Sequence, residues 1–215
     1  MKGLKVLLVV LVLGIASTAF AQVEIVPKLT YRPFFGMIDG TMSDLYSSYG
    51  AEVNAQFDLI KDSHWKMSAG LGYFGVFRSF DMDLFFVKQQ WDIQIHYLYL
   101  PVNFLYEFKF GETFSLIPSL GFNARYGVAG PANVYNEFLY SPADNGLIKN
   151  DFFSETYNGA GNGQNRRFTV GAQVGLDFRI KDVILGLAYS LDMTTTNPVT
   201  KSRFGTFGVH VGYAF

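Results

Sequence analysis

His64, His96 and His210 are the only imidazoles in the 215 residues, and there is no cysteine. Any nucleophile-histidine-acid triad, or any imidazole metal ligand, therefore has to use one of these three side chains. A base must lie within hydrogen-bond reach of its nucleophile, and none of the three stands in a serine-containing hydrolase motif. There is no His-Glu-x-x-His, and Asp81 and Asp83 have the spacing of calcium ligands without the glycine and distal glutamate of a calcium loop. Gly159-Ala160-Gly161-Asn162-Gly163 contains no lysine and opens no helix, so it reads as a loop and not a phosphate cradle. These residues assign no catalytic, cofactor-binding or metal site, and no cofactor is expected.

The elements that would position such residues are strands. After the N-terminal segment, two-residue alternation recurs, and only a strand sends successive side chains to opposite faces in this way. At the C-terminus Gly205, Phe207, Val209, Val211, Tyr213 and Phe215 oppose Phe204, Thr206, Gly208, His210, Gly212 and Ala214. The same contrast appears in 167–179, 183–192, 114–126, 65–73, 49–58 and 23–32. An eighth strand, 92–110, shows two phases: Ile93, Ile95 and Tyr97 lead, then Leu100, Val102, Phe104, Tyr106 and Phe108. A bulge near Leu98–Leu100 is expected to produce that change. This reading turns both His96 and His210 toward the small-residue face, far apart along it, with His64 in a turn.

Connections alternate in length. Residues 61–64, 110–112 and 180–182 are tight turns, whereas 36–48, 79–90, 128–166 and 194–202 are long. Eight strands joined by alternating short and long links predict an all-β fold, an eight-stranded antiparallel up-and-down transmembrane β-barrel.

The N-terminus reads as a targeting segment. Lys2 and Lys5 precede the apolar run Val6–Leu13, and Ala19-Phe20-Ala21 is a small-x-small cleavage site. The expected organisation is a signal peptide over 1–21 and a barrel domain over 22–215. A net charge of −1 gives no electrostatic reason to expect nucleic acid.

Alternation alone does not say which face points inward, since a soluble lipocalin-like barrel would hide its aromatic face. Two features favour the membrane. The small-residue face carries Glu24, Glu52, Asp58, Glu107, Asp177 and Asp192 with Lys28, Arg32, Lys66, Arg125, Arg167 and Arg179, a balance suited to an internal ion-pair network. The aromatic content of 17% includes rings at strand ends, as in interfacial girdles. On this assignment Val174→Arg, facing lipid, should cost about 2–4 kcal/mol, and Gln173→Arg less.

The stretch Leu98-Tyr99-Leu100-Pro101-Val102-Asn103-Phe104-Leu105-Tyr106-Glu107-Phe108 resembles the "leiPl-lkY" strand of the PorT-like outer-membrane barrel family of Bacteroidetes, barrels of the OmpA/OmpX type. Tyr99 departs from that pattern, where an acidic residue is common, and so does the long link 128–166. Many barrels of this kind end, as here at Phe215, on a C-terminal aromatic. The resemblance implies a location in the bacterial outer membrane, with lipid and lipopolysaccharide as surroundings and the barrel assembly machinery as a partner in biogenesis. Because members include a secretion component, it also implies a secretion-associated alternative, and some eight-stranded outer-membrane barrels are lipid A-modifying enzymes, a second alternative.

The main expectation is a non-enzymatic barrel, structural or binding a protein or glycan partner through its external loops. Tyr135, Phe138, Tyr140, Phe152, Phe153 and Tyr157 in the third loop are the candidate contact surface, with 81–87 in the second loop as a companion patch. The competing reading is that these rings pack on one another.

Overall fold

A computed structural model describes residues 23–38, 41–60, 63–141, 145–154 and 164–215. The expected signal peptide lies outside the described residues. No helix among the described residues is long and apolar enough to cross a membrane, and the chain crosses with strands.

Eight staves close a ring. In order around it they are β1 (Val23–Tyr31), β3 (Thr41–Asp58), β4 (Trp65–Leu84), β5 (Val87–Tyr106), β7 (Phe114–Ala129), β10 (Phe168–Ile180), β11 (Val183–Asp192) and β12 (Arg203–Tyr213), each antiparallel to its neighbours. The ring shuts where β1 meets β12, with Lys28 opposite Gly212 and Tyr31 opposite Val209. Below that pairing Ile25 and Phe215 exchange two backbone hydrogen bonds, of 3.4 and 3.0 Å. Pro27, on the same side of β1, has no N–H to donate.

Four shorter strands extend the staves. β2 (Phe34–Ile38) prolongs β1 and pairs with β3 and β12, and β6 (Phe108–Phe110) prolongs β5 against β7. β8 (Pro131–Phe138) carries β7 onward against the far half of β5, and β9 (Gly146–Asp151) pairs with β8. Much of what the sequence suggests are long loops at 36–48, 79–90 and 128–166 is therefore sheet. The expected tight turns are at the other end, where Gly111 and Lys181 adopt left-handed φ values of 74° and 53°; the connection expected as a long loop at 79–90 is itself only a two-residue turn, Phe85–Phe86.

The inside-outside assignment follows the alternation. Leu29, Tyr31, Tyr49, Val53, Leu71, Phe104, Phe122, Val174, Leu187 and Val211 are exposed outward. Lys28, Arg32, Glu52, Asn54, Asn123, Arg125, Asp177 and His210 are buried within. Outward rings cluster at both ends of the staves: Tyr31 lies 5.1 Å from Tyr49 at one end, while Trp65 lies 4.8 Å from Tyr106, and Tyr213 4.8 Å from Phe215, at the other. A bilayer selects such rings at its two interfaces.

Two expectations need correction. No bulge interrupts Leu98–Leu100: β5 keeps one register against β4 from Trp65↔Tyr106 to Leu84↔Val87. The irregularity lies one step further on and against β7, where Tyr97 faces Gly127 but His96 faces Ala129. His96 consequently points out of the barrel, on the same face as Leu98, with its Nδ1 2.6 Å from the Tyr73 hydroxyl. The pleat never changes phase. Ile93, Ile95, Tyr97 and Tyr99 are all buried inside, because the external half of the interior is apolar and the other half polar.

Candidate functional site

The interior is built in layers. At the end with tight turns a vestibule of about 710 Å³ is lined by Glu24, Asp58, Lys66, Glu107, Arg179 and Lys181, among others. Lys66 bridges Glu107 at 3.0 Å and Glu24 at 4.0 Å, and Arg179 reaches Glu24 at 2.6 Å. Further in, Lys28 Nζ donates to Asp177 Oδ2 at 2.8 Å, and His210 Nε2 lies 2.9 Å from Asp177 Oδ1 and 3.3 Å from Lys28 Nζ.

Gln173 is the hub of the next layer. Its amide donates to Asn103 at 2.5 Å, while its carbonyl accepts from Asn123 at 3.1 Å and from the Tyr99 hydroxyl. The cavity remaining among these side chains is only about 30 Å³, room for about two waters. The inward glycines do not leave a channel. A Cβ on Gly72, Gly208 or Gly212 would come within 2.9 Å of the stems of Glu52, Arg32 and Lys28 respectively, so their absent side chains make room for the long charged ones.

Two arginines join the polar half to the aromatic half. Arg32 pairs with Glu52 at 3.7 Å and stands over the rings of Phe74 and Tyr99, 5.3 and 4.9 Å from their centroids. Arg125 pairs with Asp192 and stands 5.0 Å from the Phe34 ring centre. A charged fork desolvated this deeply needs both a carboxylate and a π-face to offset its lost hydration.

Beyond them lies an apolar stopper of Phe34, Tyr46, Phe74, Tyr97, Phe204, Phe152 and Phe153. The last two come from the third external connection, which folds back into the mouth. Phe153 meets Tyr97 edge-on at 6.2 Å and is capped by Arg167 at 4.5 Å. Arg167 also pairs with Asp151 at 3.2 Å, and Asn165 donates to the Phe152 carbonyl at 2.8 Å. Gly130 provides the seat, since a Cβ there would lie 2.9 Å from both rings' side chains.

The six candidate contact residues thus separate. Phe152 and Phe153 are buried as the stopper, Phe138 is half-buried, and Tyr135 and Tyr140 are exposed. Tyr157 lies outside the described residues. The sequence suggested 81–87 as a companion patch, and Phe86 there does meet the third loop: its ring is 5.9 Å from Tyr140, and its carbonyl accepts from Leu139 N–H at 3.1 Å. Leu139 completes this cluster, and its only sequence signal is an apolar residue beside Tyr140 in the long link.

The histidines are not brought together. His210 is held in the lumen by Asp177 and Lys28, His96 lies outside against Tyr73, and the His64 ring packs 5.8 Å from Tyr106 at the opposite end from the stopper. Among the described residues no group of three His, Asp or Glu side chains is placed to hold a metal ion.

No curated protein matches the chain. Among solved structures it is similar to Ail of Yersinia pestis, crystallised with the heparin analogue sucrose octasulfate, at 14% identity and TM-score 0.48 over 90% of this chain and 99% of that one. It is also similar to Neisserial surface protein A, at 12% identity and TM-score 0.46 over 91% and 99%, and to OprG of Pseudomonas aeruginosa, at 13% and 0.33 over 91% and 96%. The family described as outer membrane protein beta-barrel domain matches residues 6–215, and the chain, a closed eight-stranded barrel of the bacterial outer membrane, belongs to it.

Proposed function

We propose that this barrel is non-enzymatic and non-conducting, and that it acts through its external surface by binding a partner at the exposed rings Tyr135 and Tyr140 and the adjoining turn of β4 and β5. The observation that carries this reading is the contrast between a lumen filled to about 30 Å³ at its centre and large apolar side chains left bare at the external tips. His210 is tied to a carboxylate and an ammonium in mid-lumen, and His96, on the outer face, has its Nδ1 occupied by the Tyr73 hydroxyl, which disfavours lipid A modification. Export through a signal peptide cleaved after Ala21, insertion by the assembly machinery, and contact of the outer wall with lipid and lipopolysaccharide belong to the same proposal.

Planar-bilayer recording and photo-crosslinking in intact cells test it. Silence in the bilayer and an adduct from a photoreactive residue at position 135 or 140 are expected. A steady conductance, or no adduct from either position, overturns it. A secretion-associated role is the second reading, favoured by the resemblance of Leu98–Phe108 to the PorT-like strand, and unchanged secretion on deletion of the gene would remove it.

A further inference from the structure

The turn that joins β4 to β5 at the external end is made of the wrong residues for a hairpin turn. Tight turns select Gly, Asn and Asp, which accept unusual backbone angles or bond to their own backbone. Between β4 and β5 the two turn residues are instead Phe85 and Phe86, 94% and 64% exposed. The neighbouring segment after β8 adds Leu139 at 57% and Tyr140 at 83%. The hydrogen bond from Leu139 to Phe86 and the Phe86–Tyr140 ring contact lock the two tips into one knob.

None of this exposed surface contributes to folding, because a side chain bare in both folded and unfolded states gains nothing from burial. The knob is also beyond reach of the protein's own bilayer core. Leu84 lies nine residues along β4 past Gly75, the partner of the girdle residue Tyr49, about 30 Å of strand at ~3.3 Å per residue.

Shape and charge narrow the occupant. The four side chains form a projection and not a groove. With roughly 200 Å² for each fully exposed ring they offer on the order of 600 Å², and Leu84, Tyr135 and Leu147 behind them, 46%, 44% and 54% exposed, extend the same apolar surface. A lipid surface needs no matching pocket and accepts isolated rings. Among the described residues the exposed charges nearest the knob are Asp81, Asp83, Glu137 and Lys88, a local excess of acid that disfavours an anionic surface. We propose that the Phe85–Phe86–Leu139–Tyr140 knob inserts into the zwitterionic lipid surface of an apposed membrane and so tethers the two. This rests on the reading that the external tips carry the function.

The test uses the full chain in nanodiscs, mixed with phosphatidylcholine vesicles and floated on a density gradient. Wild-type nanodiscs should float with the vesicles, and Phe85→Ser/Phe86→Ser should lower the floated fraction about tenfold or more, since each buried ring contributes roughly a tenfold to hundredfold in binding. The single variant Tyr140→Ser should give a smaller loss. Because all three residues are exposed, the heat-modifiable gel shift of each variant should match wild type, which separates lost insertion from lost folding. Flotation no greater than that of empty nanodiscs, or undiminished in the double variant, overturns the lipid assignment. Should position 140 cross-link to a protein in cells while vesicles fail to capture the nanodiscs, the tether is overturned and the external-binding reading stands.

Discussion

Asp177→Ala is the most informative single perturbation of the lumen. The Asp177 carboxylate is the acceptor for Lys28 at 2.8 Å and for His210 at 2.9 Å, and the side chains of Lys28 and Asp177 are 9% and 6% exposed. Removing it strands an ammonium inside the barrel beside a histidine it no longer shares a carboxylate with. Breaking a buried pair from one side costs about 3–5 kcal/mol. The polar vestibule brings water into the same end of the barrel, so the lower end, about 3 kcal/mol, is expected here, which is roughly a hundredfold in the unfolding equilibrium. Urea titration of the barrel in lipid vesicles, followed by the heat-modifiable gel shift, measures it. Adding Lys28→Met removes the stranded charge and should return about 1–2 kcal/mol, because an apolar stem in that place no longer requires a partner. A loss below about 1 kcal/mol for Asp177→Ala is what an exposed ion pair gives, and with no rescue by Lys28→Met it would refute the claim that this layer is desolvated.

Four further outcomes are expected. Phe153→Ala empties a fully buried ring from the stopper and should cost about 3–5 kcal/mol by the same titration, with faster proteolysis of the 146–166 segment. Val174→Arg on the lipid face should cost about 2–4 kcal/mol; Gln173→Arg, which would break the hub contacts to Tyr99, Asn103 and Asn123 in a space with no spare volume, should cost as much and not less, and a comparison of the two midpoints decides this. Lys181→Gly relieves a left-handed φ of 53° and should raise stability by about 0.5–1 kcal/mol, seen as a higher urea midpoint. Phe85→Ser/Phe86→Ser should leave stability within about 0.5 kcal/mol of wild type, since its rings touch no core.

The barrel staves were legible because inside and outside want opposite chemistry: Lys28, Glu52 and Asp177 between rows of Val, Leu and Tyr can belong only to a two-faced wall. That logic fails at His96. Ile93, Ile95 and Tyr97 resemble a second lipid-facing row wherever apolar means outward, whereas beyond the membrane the barrel fills itself with rings and the equation reverses. Phe152 and Phe153 were hidden by the same inversion, since nothing local distinguishes a ring that folds back into its own mouth from one that faces a partner. Gln173 read as a replaceable inward side chain because hub status depends on Tyr99, Asn103 and Asn123, which come from two other strands. The exposed tip is legible in sequence only as the patch 81–87 within a long loop 79–90; that Phe85-Phe86 occupy a two-residue turn depends on the register of β4 against β5.

The seam between β1 and β12 bears on how the molecule comes into being. It brings together residues such as Lys28 and His210, 182 positions apart, whereas every other junction between neighbouring staves joins segments that are consecutive around the ring. Loop-closure entropy therefore delays the seam until the hairpins are in place, and Pro27 gives it one donor fewer with which to zip. Until it shuts, the nascent sheet has two unpaired edges, each a template for another chain. The hazard of aggregation thus falls on a single late event, and whatever shelters those edges during that interval governs the yield of intact barrel.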